Sequence, residues 1–204
     1  RVEDGGEAYP NLVFSLPREI DALARLLRGD RPTSLEIHHL LGHDHAVMRL
    51  AAALGVPLDV HIHDYAWLCP RVTLVGPERR YCGEPEDTRV CDACVADAGR
   101  AMEEEIGVAA LRARSARDLA GARRVVTPSG DAAARMRRHF PGLAPEVEVH
   151  ENDAAALAEG AAHSHRRPAK GRRRRVCIVG GIGPEKGYDV VLACARDAVL
   201  RNLP

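Results

Sequence analysis

The chain has 204 residues and begins at Arg1, and its 29 Lys and Arg balance its 29 Asp and Glu, so formal net charge is zero. That balance excludes a global electrostatic attraction to nucleic acid or to an anionic membrane. At 46% apolar and 28% charged residues the composition is that of a globular domain, no run approaches the roughly 18 apolar residues of a membrane span, and the opening RVEDGGEAYP has no apolar export core. The length fits one domain, or one domain and part of a second.

In chain order, Asn11 to Leu16 (NLVFSL) reads as a strand. Pro17 to Arg28 reads as a helix with Ile20, Leu23, Leu26 and Leu27 on one face, stopped by Gly29. Ser34 to Leu40 is the next strand, Asp44 to Leu54 a helix ending at Gly55, and Pro57 to His63 a further strand. A long irregular stretch follows, then a helix from Ala101 to Ala122, a strand at Arg124 to Thr127, and a helix from Ser129 to Phe140 with Ser129 as N-cap. Glu146 to His150 is a short strand. Alternation of this kind predicts an α/β fold, a Rossmann-like and mostly parallel sheet flanked by helices. Ligands of such sheets bind where loops leave the carboxyl ends of the strands, which singles out His63, Asp64 and Ser129.

Residues 151–175 break the pattern, beginning acidic and alanine-rich and ending in RRPAKGRRRR, and read as a linker. Val176 to Gly181 is then a buried-type strand and Gly187 to Arg201 an amphipathic helix. One strand and one helix cannot cover both faces of a sheet. The expected organisation is therefore an N-terminal domain over 1–150, a linker over 151–175, and the opening of a second domain over 176–204. The apolar face of the last helix (Val190, Val191, Cys194) is expected either to pack back on the first domain or to pair with a second copy in a dimer foreign to the complete protein.

Six cysteines occur, and Cys69, Cys82, Cys91 and Cys94 follow the spacing C-x12-C-x8-C-x2-C inside a segment, 68–95, rich in Pro, Gly and charge. Cys177 and Cys194 sit in apolar runs and read as small buried hydrophobes. The CxxC end of the cluster lets two thiolates reach one tetrahedral metal, and four thiolates would make a closed, structural zinc site in a Cys-rich loop insertion. A redox pair, free buried thiols and two disulfides are the competing readings. The histidines are also concentrated: six of the ten lie between 38 and 63. Strand alternation puts His61 and His63 on one face and His38 and His39 on opposite faces. His38 and His61 read as packing or hydrogen-bonding residues of the sheet, and His39, His43, His45 or His63 as ligands of a conceivable second metal site. The glycine-rich turn VGGIGPEKG, between a strand and a helix, suits a phosphate, with Gly181 and Gly183 allowing close backbone approach and Lys186 adding charge. It is neither a Walker A loop nor GxGxxG.

The order HIHDYAWLCPRVTL, then RRVVTPSGDAAARMRRHFPG, then VCIVGGIGPEKGYDVVLACARDA resembles the retaining glycosyltransferases of family 4, from about Leu35 onward. The resemblance implies one half of a GT-B fold plus the start of the other, with an acceptor held by the first domain and a nucleotide-diphospho-sugar by the second. It implies that Lys186 neutralises the donor diphosphate, that His63 contacts the donor sugar as the catalytic histidine, and that no metal serves the chemistry. Its partners would be the nucleotide-sugar and a saccharide or lipid-linked acceptor, without nucleic acid, in the cytoplasm and peripherally at the inner face of a membrane. Two departures stand out: Gly181 takes the place of the family's usual Arg, and the family's paired glutamates would lie beyond Pro204. The chain is thus expected to be an internal piece of a transferase, inactive alone. A non-catalytic, zinc-stapled α/β binding module is the alternative.

Overall fold

The computed structural model describes residues 13–148, 183 and 186–201. Helix α1 (Ile20–Arg28) precedes β1 (Leu35–Ile37). A 3-10 turn, His45–Arg49, leads into α2 (Leu50–Leu54) and β2 (Leu58–His61). Helices α3 (Thr88–Ala98) and α4 (Val108–Gly121) come before β3 (Arg124–Thr127), and α5 (Gly130–His139) before β4 (Glu146–Val147). A last helix, α6, spans Tyr188–Leu200. The four described strands form one parallel sheet in the order β1-β2-β3-β4. The fold is α/β, a parallel sheet flanked by helices, in keeping with the Rossmann-like expectation. Among the described strands the spatial order follows the chain order, without the reversal at which doubly wound sheets open their crevice.

The main core joins β2 and β3 (Val60, Val125) to α4 and α5 (Leu119, Met136) and to Trp67, Leu68 and Leu74 of the chain leaving β2. Leu68 and Val60 are fully removed from solvent, and burial of such a side chain is worth roughly 1.5–3 kcal/mol. A second cluster packs α1 on α2 through Ile20, Ala24 and Leu50. Caps set several of the boundaries. Asp44 Oδ1 accepts from Ala46 N at 2.8 Å to open the 3-10 turn, and Gly55 ends α2 at φ 72°, a conformation in which a side chain is strained.

Three expectations change. Residues 13–16 are not a strand: Ser15 N donates to Glu19 Oε2 at 2.6 Å and Ser15 O accepts from Glu19 N at 2.9 Å, so local capping bonds take the groups that a sheet would need. The helix foreseen at Ala101–Ala122 begins at Val108. Gly107 is extended at the N-cap, and Val108 N donates to Asp92 Oδ1 of α3 at 2.8 Å, which opens the helix there. The supposedly irregular stretch contains α3, opened by the Asp87 side chain accepting from Arg89 N at 2.9 Å. The linker 151–175, the strand at 176–181, Cys177 and Gly181 lie outside the described residues. Among the described residues no helix is long and apolar enough to cross a membrane. Helix α6 has no buried residue, with Val190 and Cys194 both exposed.

One ion pair sits in the middle of the sheet. The Asp59 side chain on β2 is 2% exposed, and it accepts from Arg123 Nε at 2.8 Å and Nη2 at 2.5 Å. Hydrogen bonds from Arg123 hold the Asp59 carboxyl below the usual carboxylate range, against burial, which pushes it up. The stability this contributes is present above the ordinary carboxylate pKa and is lost as pH falls through the lower folded value. Arg123→Ala would leave the buried carboxylate only Arg124, at 3.8 Å. The expected cost at pH 7 is a loss of stability, because the buried carboxylate loses its two direct hydrogen bonds. It should shrink at pH 3, where Asp59 of the variant takes up a proton, and urea denaturation at both pH values measures the difference.

Candidate functional site

Strand β2 ends at His61, and the chain beyond it carries His63 and Asp64 to the carboxyl edge of the sheet. There His38, just past the end of β1, meets them. His38 Nδ1 and His63 Nε2 are 2.9 Å apart, and the His38 ring stacks on those of His61 and His63 at centroid distances of 4.3 and 5.1 Å. One nitrogen from each of His38, His61 and His63 lies within 4.8 Å of the other two, an arrangement that could hold a metal ion. His39 also leans on the group, its ring 5.9 Å from that of His63, while its Nδ1 lies 2.9 Å from Asp64 Oδ2. The expectation that His38 and His39 face opposite ways fails because β1 ends at Ile37, so strand alternation no longer applies to them.

Burial lowers the pKa of His63, and the neighbouring His38, His39 and His61 lower it further, with Asp64 opposing. His63 is therefore a neutral imidazole at neutral pH, able both to donate and to accept. Asp64 has a local task as well, since its Oδ1 accepts from Ala66 N at 2.9 Å and shapes the turn after the edge. Ser129 is exposed and caps α5, its Oγ accepting from Ala132 N at 3.2 Å. Its neighbour Pro128 and Glu148 line a shallow depression of about 20 Å³ with His61 and His63, so the edge approaches Ser129 without enclosing it.

The other histidines named for a second metal site are engaged elsewhere. His45 Nε2 lies 2.7 Å from Asp118 Oδ2 on α4. His43 lines a separate cavity of about 400 Å³ together with Asp44, Glu104 and Arg114, where Arg114 donates two hydrogen bonds to Glu104 at 2.6 and 2.7 Å. At the chain's far end Gly183 O accepts from Lys186 N at 3.0 Å, and Lys186 is exposed two residues before α6. The structure gives Lys186 no described contact with the histidine edge.

The cysteine segment is held to the sheet by its own polar cluster. Glu84, whose side chain is fully buried, accepts from Tyr81 Oη and Arg135 Nη1, and His139 Nε2 lies 2.8 Å from its Oε2. Arg71 donates to Val75 O at 2.8 Å and to Gly99 O at 2.9 Å, closing the segment on the end of α3. Cys69, Cys82, Cys91 and Cys94, all unpaired, line one cavity. Burial raises the thiol pKa of Cys69, Cys82 and Cys91, so they lack the depressed pKa of a redox-active pair.

Comparison of the chain with family models, with curated proteins and with solved structures found no match.

His139 carries a pH dependence. Burial, then the guanidiniums of Arg112, Arg138 and Arg135, push its pKa down to about 4. The Glu84 charge is already met by Arg135, so the neutral ring suffices as donor to it. Stability from the neutral ring is complete above about pH 6.5 and is lost as pH falls toward 4. The expected loss is at most about 3 kcal/mol, and a His139→Gln chain should lack that part of the pH dependence when both are unfolded in urea between pH 7 and 4.

Proposed function

We propose that this chain is the acceptor-side half of a retaining glycosyltransferase acting on a nucleotide-diphospho-sugar, with residues 176–204 opening the donor-binding half. The observation that carries the reading is the placement of His63, neutral and backed by His38, at the carboxyl edge of a parallel sheet. The motif order that resembles family 4 glycosyltransferases gives it independent support from the sequence.

In this reading His63 uses one ring nitrogen with His38 and offers the other, Nδ1, to a hydroxyl of the donor sugar. His39 and Asp64 keep the edge in register through their contact at 2.9 Å. The acceptor lies along the same edge, and the cavity beside His43, with Glu104 and Arg114 in its wall, suits a hydroxyl-rich molecule such as a saccharide. Lys186 and the backbone amides of the glycine-rich turn receive the diphosphate. The bond from the sugar's anomeric carbon to the diphosphate breaks with its electron pair leaving on the phosphate oxygen, the acceptor oxygen bonds to that carbon on the same face as its hydroxyl proton passes to the departing phosphate oxygen, and the positive groups stabilise the departing charge. No step of this chemistry draws on a metal ion.

The test uses the protein encoded by the complete open reading frame and a panel of nucleotide-diphospho-sugars, with acceptor-dependent release of nucleoside diphosphate as the readout. His63→Ala should lower kcat about 100-fold with little change in donor KM, and Lys186→Ala should chiefly raise donor KM. Failure to turn over or bind any nucleotide-sugar, or full activity in the His63→Ala enzyme, would overturn the reading. The first of these outcomes favours a non-catalytic binding module.

A further inference from the structure

The four clustered cysteines are not used by the transferase reading, and the fold brings them from three different local structures to the lining of one cavity, with no three of their sulfurs within 4.8 Å of one another. Cys69 follows the buried Trp67 and Leu68, its backbone N donating to Tyr65 O at 3.0 Å in a tight turn. Cys82 leaves a small antiparallel hairpin in which Val75 pairs with Tyr81, and its N donates to Leu74 O at 3.0 Å. Gly83, at φ 73°, then turns the chain away from it. Cys91 and Cys94 lie three residues apart on α3, one helical turn and so on one face. All four border a single opening, and Cys69 and Cys91 are 8% and 9% exposed.

We propose that Cys69, Cys82, Cys91 and Cys94 hold one structural zinc ion. Four sulfur donors fit tetrahedral Zn²⁺, with bonds of about 2.3 Å, and fill its coordination, leaving no position for a substrate water. Each S–H bond broken on coordination releases its proton to solvent, and four thiolates on Zn²⁺ leave a net charge of −2, which needs compensation nearby. Arg112 of α4 supplies half of it. Its Nη2 donates to Cys91 Sγ at 3.5 Å, and its Nε and Nη1 donate to Leu68 O at 3.2 Å and Pro85 O at 3.4 Å. One guanidinium thus spans the chain next to Cys69, the approach to α3, and a sulfur itself, as residues surrounding a metal commonly do. The need for a staple is visible too. From Pro77 to Tyr81 the chain is exposed and contributes nothing to an apolar cluster.

This inference does not depend on the transferase reading. The decisive measurements use the 204-residue chain purified under reducing conditions. Elemental analysis should find about one zinc per chain, and replacement by Co²⁺ should give intense thiolate-to-cobalt absorption in the near ultraviolet with tetrahedral visible bands. A Cys91→Ser/Cys94→Ser chain should lose the metal, and a His38→Ala/His61→Ala/His63→Ala chain should keep it. Less than about half an equivalent of zinc, two disulfides found by mass spectrometry, or cobalt bound without thiolate absorption would each overturn the proposal. So would zinc retained by the cysteine variant and lost by the histidine variant, which would move the site to the imidazole cluster. The cobalt spectrum of the unsubstituted chain decides the matter even where the cysteine variant fails to fold.

Discussion

Asp59 places a carboxylate in the interior of the sheet, where a charge is tolerated only beside a partner, and Arg123 at the start of β3 is that partner. The same residue donates its backbone N to Leu58 O at 2.7 Å, so side chain and main chain of Arg123 fix one registration between the two central strands. Asp59 pairs with Arg124 and His61 with Val126 as a consequence. A slip of one residue would turn Val60 outward and Asp59 away from its cation. The edge histidines follow from that register, because His61 ends β2 and His63 lies two residues beyond it.

The chain after β2 has a harder task than an ordinary crossover. Trp67, Leu68 and Leu74 supply apolar contacts to the main core, but the return toward α3 is polar and tightly turned. Buried charge takes the place of hydrophobic packing there. Glu84 is the centre, tied to α5 by Arg135 and His139 and to its own hairpin by Tyr81. Such a cluster rigidifies a segment when every member is satisfied, and no buried side-chain polar atom among the described residues lacks a partner.

What the sequence revealed depended on whether the signal was local. Strand β3 is legible at its observed bounds, Arg124–Thr127, because three β-branched residues, Val125, Val126 and Thr127, sit between a helix end and a Pro-Ser turn. Ser129 was legible as a cap for the same reason: the hydroxyl that follows Pro128 bonds an amide three residues on. Helix α3 was missed although Asp87 offers an N-cap and Val90, Cys91, Cys94 and Val95 recur at helical spacing. Cys91 belongs at once to the cysteine cluster and to the buried face of the helix, beside Val95. His38 could not be linked to His61 and His63 from sequence, since their meeting depends on β1 lying beside β2 and on β1 stopping one residue short of His38. Glu84 was invisible for a similar reason, its partners lying more than fifty residues away on α5.

The two donor clusters are joined by one short run of backbone. Asp64 accepts from Ala66 N at 2.9 Å, Tyr65 O accepts from both Leu68 N at 2.9 Å and Cys69 N at 3.0 Å, and Tyr65 N donates to Val72 O at 3.1 Å. The turn that begins at the edge histidines therefore ends at the first cysteine, with Trp67 and Leu68 anchored in the core between them. Anything that fixes Cys69 also fixes the path of the chain leaving His63. The chemistry of the two clusters divides accordingly. Four sulfurs on the proposed ion would fill its coordination and hold chain, whereas three imidazoles at the sheet edge leave room for a ligand. A segment anchored in the core through Trp67 and Leu68, directly behind the histidine edge, gives a loop-borne site a support that a loop alone lacks.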